Sequence, residues 1–224
     1  MQILAVIPAR GGSKGIPNKN VYPINGKPLI CYTIESISQC NVIFDVVVST
    51  DSDDIARIAN EYDVRVVKRP DDISSDTAKT ESALLHAIYE MEMIGMEYEH
   101  VMTLQVTSPL RKAETIDSFI INYYDKEKEG FDAQVSLTAD YCDLWIANNG
   151  SFARLFPDAP RRRQDRQPVY IENSAVYITS ISALKQTSSV LGTKCAGYII
   201  PHNEAIDINT YDDLKYVEYL LSRV

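Results

Sequence analysis

Short β-branched runs and helix-period segments alternate along most of this 224-residue chain. Ile3–Ile7, Val46–Thr50, Val64–Val67, Val101–Val106 and Ala133–Leu137 read as strands. Between them Leu29, Ile30, Ile34 and Ile37, then residues 52–62, then Leu84, Ala87, Ile88 and Met91, then Ile116, Phe119, Ile120 and Tyr123 mark helices. Strands separated by helices form right-handed βαβ units, hence a parallel sheet with helices on both faces. The expected fold is therefore one α/β domain of three α/β/α layers, Rossmann-like, with a mostly parallel sheet, and the chain length suits a single such domain spanning residues 1–224. The alternation breaks over residues 139–171, where Asn148-Asn149-Gly150, three prolines and Arg161-Arg162-Arg163 leave no clean period, so an inserted hairpin or small lobe is expected there. A strand resumes at Asn173–Ser180, a short one follows at Gly197–Ile200, and Thr210-Tyr211-Asp212-Asp213 is a capping box that opens a last helix.

The first strand runs into Pro8-Ala9-Arg10-Gly11-Gly12-Ser13-Lys14-Gly15-Ile16-Pro17-Asn18-Lys19-Asn20. Glycines let backbone approach a ligand closely, and turned loop amides make an anion-binding concavity. Arg10, Lys14 and Lys19 add full positive charge in a chain whose net charge is −9. Open α/β sheets bind ligands at the carboxyl ends of their strands. The loop is thus read as a polyphosphate site rather than a solvated basic turn. It is neither the G-x-x-x-x-G-K-[ST] loop of P-loop NTPases nor the G-x-G-x-x-G of dinucleotide folds.

The acidic balance argues against a general nucleic-acid or anionic-membrane binder. No apolar run approaches the roughly 20 residues of a membrane span. The apolar start is cut short by Pro8 and Arg10, so no signal peptide is expected and a cytoplasmic location is. Cys31, Cys40, Cys142 and Cys195 show no C-x-x-C spacing, which points to small buried thiols rather than a zinc site or a disulfide framework.

Four further segments carry polar chemistry. Leu104-Gln105-Val106-Thr107-Ser108-Pro109-Leu110-Arg111 closes a strand at a Ser-Pro turn; alone it fits a ligand edge and a well-capped turn equally. Arg69-Pro70 and Asp76-Thr77 through Thr80 read, taken alone, as a polar loop with a helix cap. Ile206-Asp207-Ile208-Asn209 puts two oxygen-bearing side chains on one side of an extended segment, where they can share Mg²⁺, although ordinary helix flanking fits too. Arg161-Arg162-Arg163-Gln164, followed by Tyr170 and Glu172-Asn173-Ser174-Ala175-Val176-Tyr177, reads alone as a solvated charged face, although its guanidinium groups would also suit bidentate recognition of a carboxylate. Asp51 ends another strand and is expected to cap the following helix.

These motifs resemble those of the CMP-N-acylneuraminate synthetases, the cytidylyltransferases that activate nine-carbon 2-keto acids. That family's first loop runs Ala-Arg, two variable residues, Ser-Lys-Gly, an apolar residue, Pro, a variable residue and Lys-Asn, all present from Ala9 to Asn20. Its Leu-Gln-x-Thr-Ser-Pro-Leu-Arg segment is reproduced at 104–111. The resemblance implies a nucleotide-diphospho-sugar transferase fold, CTP and a nine-carbon 2-keto sugar acid as substrates, Mg²⁺ as cofactor, and a homodimer whose lobe crosses to the partner. By position it implies Arg10, Lys14, Lys19 and Asp207 as catalytic residues, and Ala9, Arg10, Gly11, Ser13, Asn20, Arg69 and Thr80 around the nucleotide. It puts Gln105, Ser108, Arg163, Gln164 and Tyr177 at the acceptor, and Asp207 with Asn209 at the metal. The family has Asp where this chain has Asn209, an uncharged, weaker or outer-sphere ligand; Ser174 replaces a glycine, Trp145 a lysine of some members, and Val190-Leu191 an aromatic pair. The other readings are the same chemistry on legionaminic, pseudaminic or another 2-keto-3-deoxy acid, and a non-catalytic CTP-binding paralogue.

Overall fold

The computed structural model describes residues 2–13, 15–42, 44–75 and 77–223. In chain order its elements are β1 (Ile3–Pro8), β2 (Pro23–Ile24), β3 (Lys27–Pro28), α1 (Leu29–Ser38), β4 (Asp45–Thr50), α2 (Asp53–Glu61), β5 (Arg65–Lys68), α3 (Thr80–Met93), β6 (His100–Leu104) and α4 (Ala113–Lys128). They continue with β7 (Ala133–Asp140), β8 (Trp145–Asn148), β9 (Ser151–Arg154), β10 (Val169–Ser180), α5 (Ile181–Thr187), β11 (Cys195–Ile199) and α6 (Tyr211–Leu221). Among the described residues no helix is long and apolar enough to cross a membrane.

Seven of the described strands form one sheet in the order β11-β7-β10-β6-β1-β4-β5. All neighbouring pairs are parallel except those of β10, which runs antiparallel to both β6 and β7. The expected three-layer, mostly parallel architecture is what the chain adopts. From β1 the chain steps outward to β4 and β5, then returns over the sheet to β6 on the other side of β1. Strand order therefore reverses at β1/β6, and loops leaving the carboxyl ends of these two strands diverge around a crevice.

Alternation along each strand divides the core. Ile3, Ala5 and Ile7 of β1, Met102 and Leu104 of β6, and Val176 and Ile178 of β10 pack against α1, α2, α4 and α6, with Phe119, Ile120 and Tyr123 fully buried between. Leu4, Val6 and Val101 face α3 and α5 through Leu84, Ile88, Ile181 and Leu184. Each such side chain contributes roughly 1.5–3 kcal/mol when fully buried.

Three elements differ from the sequence reading. The β2–β3 hairpin turns on Asn25-Gly26, both with positive φ (49° and 79°), a two-residue turn that matches strand twist. α5 has seven residues, too few to show a helical period, and Ser180 caps it by accepting from the Ala183 amide. The expected lobe at 139–171 is narrower as a separate structure: Asp140, Ala139 and Thr138 pair with Val169, Tyr170 and Ile171, so both ends of that span extend the main ladder, and β8–β9 form the hairpin between. The thiol expectation fails at Cys142, which is exposed.

Asp117 of α4 is 8% exposed and accepts from the Asn41 amide and side chain and the Val42 amide, at 2.9–3.1 Å, fixing the turn between α1 and β4. Burial pushes its pKa up, but these three donors outweigh burial and hold it below the ordinary value. A depressed folded pKa gives stability that is full above the unfolded value, about 3.9, and is lost as pH falls through the folded value. Asp117→Ala is expected to cost roughly 2–4 kcal/mol, because it strands buried donors, and to blunt the acid limb of the protein's unfolding curve. Urea melts from neutral pH down to pH 3 check both.

Candidate active site

Three loops meet above the carboxyl ends of β1 and β6. The first continues β1: the Ala9 amide donates to Ser49 O at 3.0 Å, and the Gly11 amide donates to Asp51 Oδ1 at 2.8 Å. Asp51 therefore anchors the first loop. The cap of α2, expected of Asp51, is supplied instead by Ser52, whose hydroxyl accepts from the Ile55 amide. The carboxylate is drawn to the loop because the Gly11 amide, at a turn, has no strand partner to satisfy it. Fully buried Ile16 pins the far end of the loop into the core. Asn20 Nδ2 donates to Arg10 O at 2.9 Å, closing the loop on itself.

The loop 206–209 then packs against the first. Lys19 Nζ donates to Ile208 O at 2.7 Å, and the Ile208 amide donates to Thr107 O at 2.9 Å. A Cβ on Gly15 would lie 2.8 Å from Asn209 O, so only glycine allows this approach. Burial lowers the pKa of the Lys19 ammonium; Asp207 opposes that effect and Arg10 adds to it. A half-buried cation beside another cation is favourably placed to receive an anion.

These loops border a cleft of ≈ 270 Å³ lined by Pro8, Arg10, Asn20, Arg69, Ser75, Ala78, Lys79, Thr80, Ala83, Gln105, Val106 and Thr107. Arg69 is buried and fixed by Nε to Ser49 Oγ (3.2 Å) and an η nitrogen to Ser49 O (2.7 Å). Burial lowers its pKa, opposed by Asp51 and reinforced by Arg10. Thr80 opens α3, so that helix directs its amino end at the cleft.

Arg10, Asn20, Arg69, Thr80 and Gln105 thus come together, with Lys19 and Asp207 joined to them through the loop contacts. Ala9 and Gly11 supply the backbone turn. Ser13 is half-buried in the same loop. Lys14 lies outside the described residues. Ser108 is fully buried below the cleft, its hydroxyl without a partner among the described residues. Arg163 and Gln164 sit exposed on a turn of the lobe, Arg163 5.6 Å from the Tyr141 ring, and neither lines the cleft. Tyr177 is buried on β10; burial and then its bond to Glu172 push its phenol above the ordinary range.

Asp207 and Asn209 bond to each other, Asn209 Nδ2 donating to Asp207 Oδ2 at 2.7 Å. The neighbouring Asp213 is committed to the capping box of α6, accepting from Asn209, Thr210 and the Thr210 hydroxyl. Among the described residues no group of three His, Cys, Asp or Glu side chains could hold a metal.

Sequence reasoning missed two organising residues. Arg111 is 2% exposed, donates to Ala175 O at 2.5 Å and Gln105 O at 3.4 Å, and has a pKa lowered to about 10 by burial. It ties β10 to the end of β6. Asp143 gathers Arg154 (2.7 Å) and Arg166 (3.0 Å) inside the lobe. Arg111 closes the 104–111 segment, but nothing local told it from a capped turn, and Asp143 bears no motif that marks it.

The cytidylyltransferase family model matches residues 4–191. The chain belongs to the cytidylyltransferase family. The CMP-N,N'-diacetyllegionaminic acid synthase of Legionella pneumophila is 32% identical over 99% of this chain and 97% of its own length. The N-acylneuraminate cytidylyltransferase of Streptococcus agalactiae is 30% identical over 97% of this chain, which spans 52% of that longer protein. The fold of this cytidylyltransferase is also that of a CMP:2-keto-3-deoxy-manno-octonic acid synthetase solved with CTP, with TM-score 0.75 at 17% identity, covering 100% of this chain and 99% of that one.

Proposed function

We propose that this cytidylyltransferase joins CTP to a nonulosonic acid, giving the CMP-sugar and pyrophosphate. The observation that carries the reading is the convergence of Arg10, Asn20, Arg69, Thr80 and Gln105 on one cleft at the strand-order reversal, in a chain whose relatives are named for this chemistry. Cytosine needs donors for O2 and N3 and an acceptor for its amine; Arg69 and loop carbonyls suit it. The acceptor's 2-hydroxyl attacks the α-phosphorus, its O–P bond forming as the bond to the bridging oxygen breaks. Pyrophosphate leaves and the hydroxyl proton passes to solvent. Arg10 and Lys19 neutralise charge on the leaving group, and the protein's work is positioning and electrostatics.

Asp207, with Asn209 beside it, fits Mg²⁺ of the kind that takes most ligands from phosphates and water. Asp207 would ligate directly and Asn209 would orient it, as their bond suggests. Mg²⁺ held there would supply charge neutralisation on the phosphates and would make the attacking hydroxyl more acidic. Arg163 and Gln164 would reach an acceptor from the partner subunit in a homodimer. That arrangement is supported by the lobe's exposed Trp145, Ile146, Phe152, Leu155 and Phe156, an apolar surface unusual on a monomer.

Nucleotide choice tests the first half of the reading. CTP with Mg²⁺ is expected to raise the melting temperature several degrees more than GTP or ATP; equal shifts for all three would remove the cytosine assignment. Phe152→Asp with Phe156→Asp is expected to convert the dimer to monomer in light scattering and to lower turnover with it. A variant of unchanged mass would place the contact elsewhere.

A further inference from the structure

A carboxylate, Glu172 of β10, stands beside Tyr177 with no role in the chemistry above. β10 runs antiparallel to β6, so residues before Val176 project beyond the carboxyl edge where the cleft lies. Tyr177 pairs with Thr103 and with Val135, and Glu172 pairs with Leu137. Cross-strand partners share a face, and alternate residues of one strand do too. Thr103, Val135, Leu137, Glu172 and Tyr177 therefore share the α3–α5 face, the side that carries α3, whose Thr80 and Ala83 line the nucleotide cleft. α5 starts only at Ile181, after the opposite end of β10, so it leaves this upper shelf open and Glu172 exposed.

The shelf is built. Its floor is apolar, and Gly197 lets Leu137 lie across β11, since a Cβ there would come within 2.5 Å of Leu137 Cδ1. The β10 register shifts between Glu172 and Tyr177, with Ser174 at φ 60°. Ser136 Oγ donates to Asn173 Oδ1 at 2.6 Å and accepts from the Val176 amide at 2.9 Å, locking the bulge. The bulge brings Glu172 back onto Tyr177, whose hydroxyl donates to Glu172 Oε1 at 2.6 Å. Glu172 Oε2 has no partner among the described residues. A carboxylate accepts hydrogen bonds and repels another carboxylate. It cannot hold the acid group of a 2-keto sugar acid, and it suits a nitrogen-borne donor on an apolar shelf.

We propose that Glu172, oriented by Tyr177, accepts a hydrogen bond from an acylamino N–H of the acceptor and so selects amino-sugar acids over 2-keto acids that lack nitrogen. This rests on the nonulosonic-acid reading above. The test is the ratio of kcat/KM for N,N'-diacetyllegionaminate or N-acetylneuraminate to that for 2-keto-3-deoxy-manno-octonic acid. Glu172→Met keeps the length of the side chain and removes both oxygens; it is expected to lower the ratio about tenfold or more. Glu172→Gln, which keeps an acceptor oxygen, is expected to restore most of it. An unchanged ratio in Glu172→Met, or an equal loss on all acceptors, overturns the assignment while leaving the function intact. Native protein inactive on every acid overturns the underlying reading itself.

Discussion

Lys19→Met is expected to lower kcat/KM by roughly a hundred- to a thousandfold, the scale of losing one preorganised charge at a developing anion. The ammonium sits half-buried between Asp207 and Arg10, and burial lowers its pKa. Its charge is therefore maintained at a cost that an arriving phosphate offsets. Methionine keeps the stem and its packing. It loses the 2.7 Å bond to Ile208 O, but it also relieves a desolvated cation, so the melting temperature is expected to move little. The paired measurement separates the two roles. A large kinetic loss at near-native stability assigns the charge to catalysis, whereas a native rate with a lowered melting temperature would make Lys19 a strut between two loops.

Gly15→Ala is expected to lower turnover about a hundredfold, although alanine adds one methyl group. That methyl would fall 2.8 Å from Asn209 O. The neighbour is backbone, and Ile208 between the two site residues is itself tied to Thr107 and Lys19. The loop bearing Asp207 must shift away from the loop bearing Arg10 and Lys19, and a displacement near 1 Å can cost about a hundredfold in a positioned reaction. Stability should fall too, by about 1–3 kcal/mol from overpacking. Gly12→Ala is the control, since a Cβ there meets nothing within 4 Å. Equal rates for the two variants would show that the loop seam does not govern the chemistry.

The layers of the fold were legible because the longer strands and helices carry local patterns of their own. Ile3–Ile7 and Val46–Thr50 read as strands and fall within β1 and β4, and Thr210 with Asp213 announced α6 through the capping box that forms. The direction of β10 was not legible, since local pattern is the same whichever way a strand runs. The β2–β3 hairpin was not read either, since its strands are two residues each and carry no alternation. Of the site, the residues within one loop could be read, and Arg10, Asn20, Arg69, Thr80 and Gln105 do share a cleft. Contacts between loops could not. The Gly11–Asp51 bond, the Lys19–Ile208 bond and the approach of Gly15 to Asn209 join segments far apart in sequence, and each depends on how the sheet brings strand ends together. Glu172 had no role of its own in the sequence, because it is the bulge at Ser174 that turns it onto Tyr177.

The most direct measurement is pyrophosphate release by the purified protein with CTP, Mg²⁺ and a panel of acids: N-acetylneuraminate, N,N'-diacetyllegionaminate, pseudaminate and 2-keto-3-deoxy-manno-octonic acid. The account predicts release with CTP and at least one of the nine-carbon amino-sugar acids, and its loss in Asp207→Ala. Binding of CTP with no pyrophosphate from any acid would contradict it, leaving a nucleotide-binding protein whose Asp207–Asn209 pair does not serve catalysis.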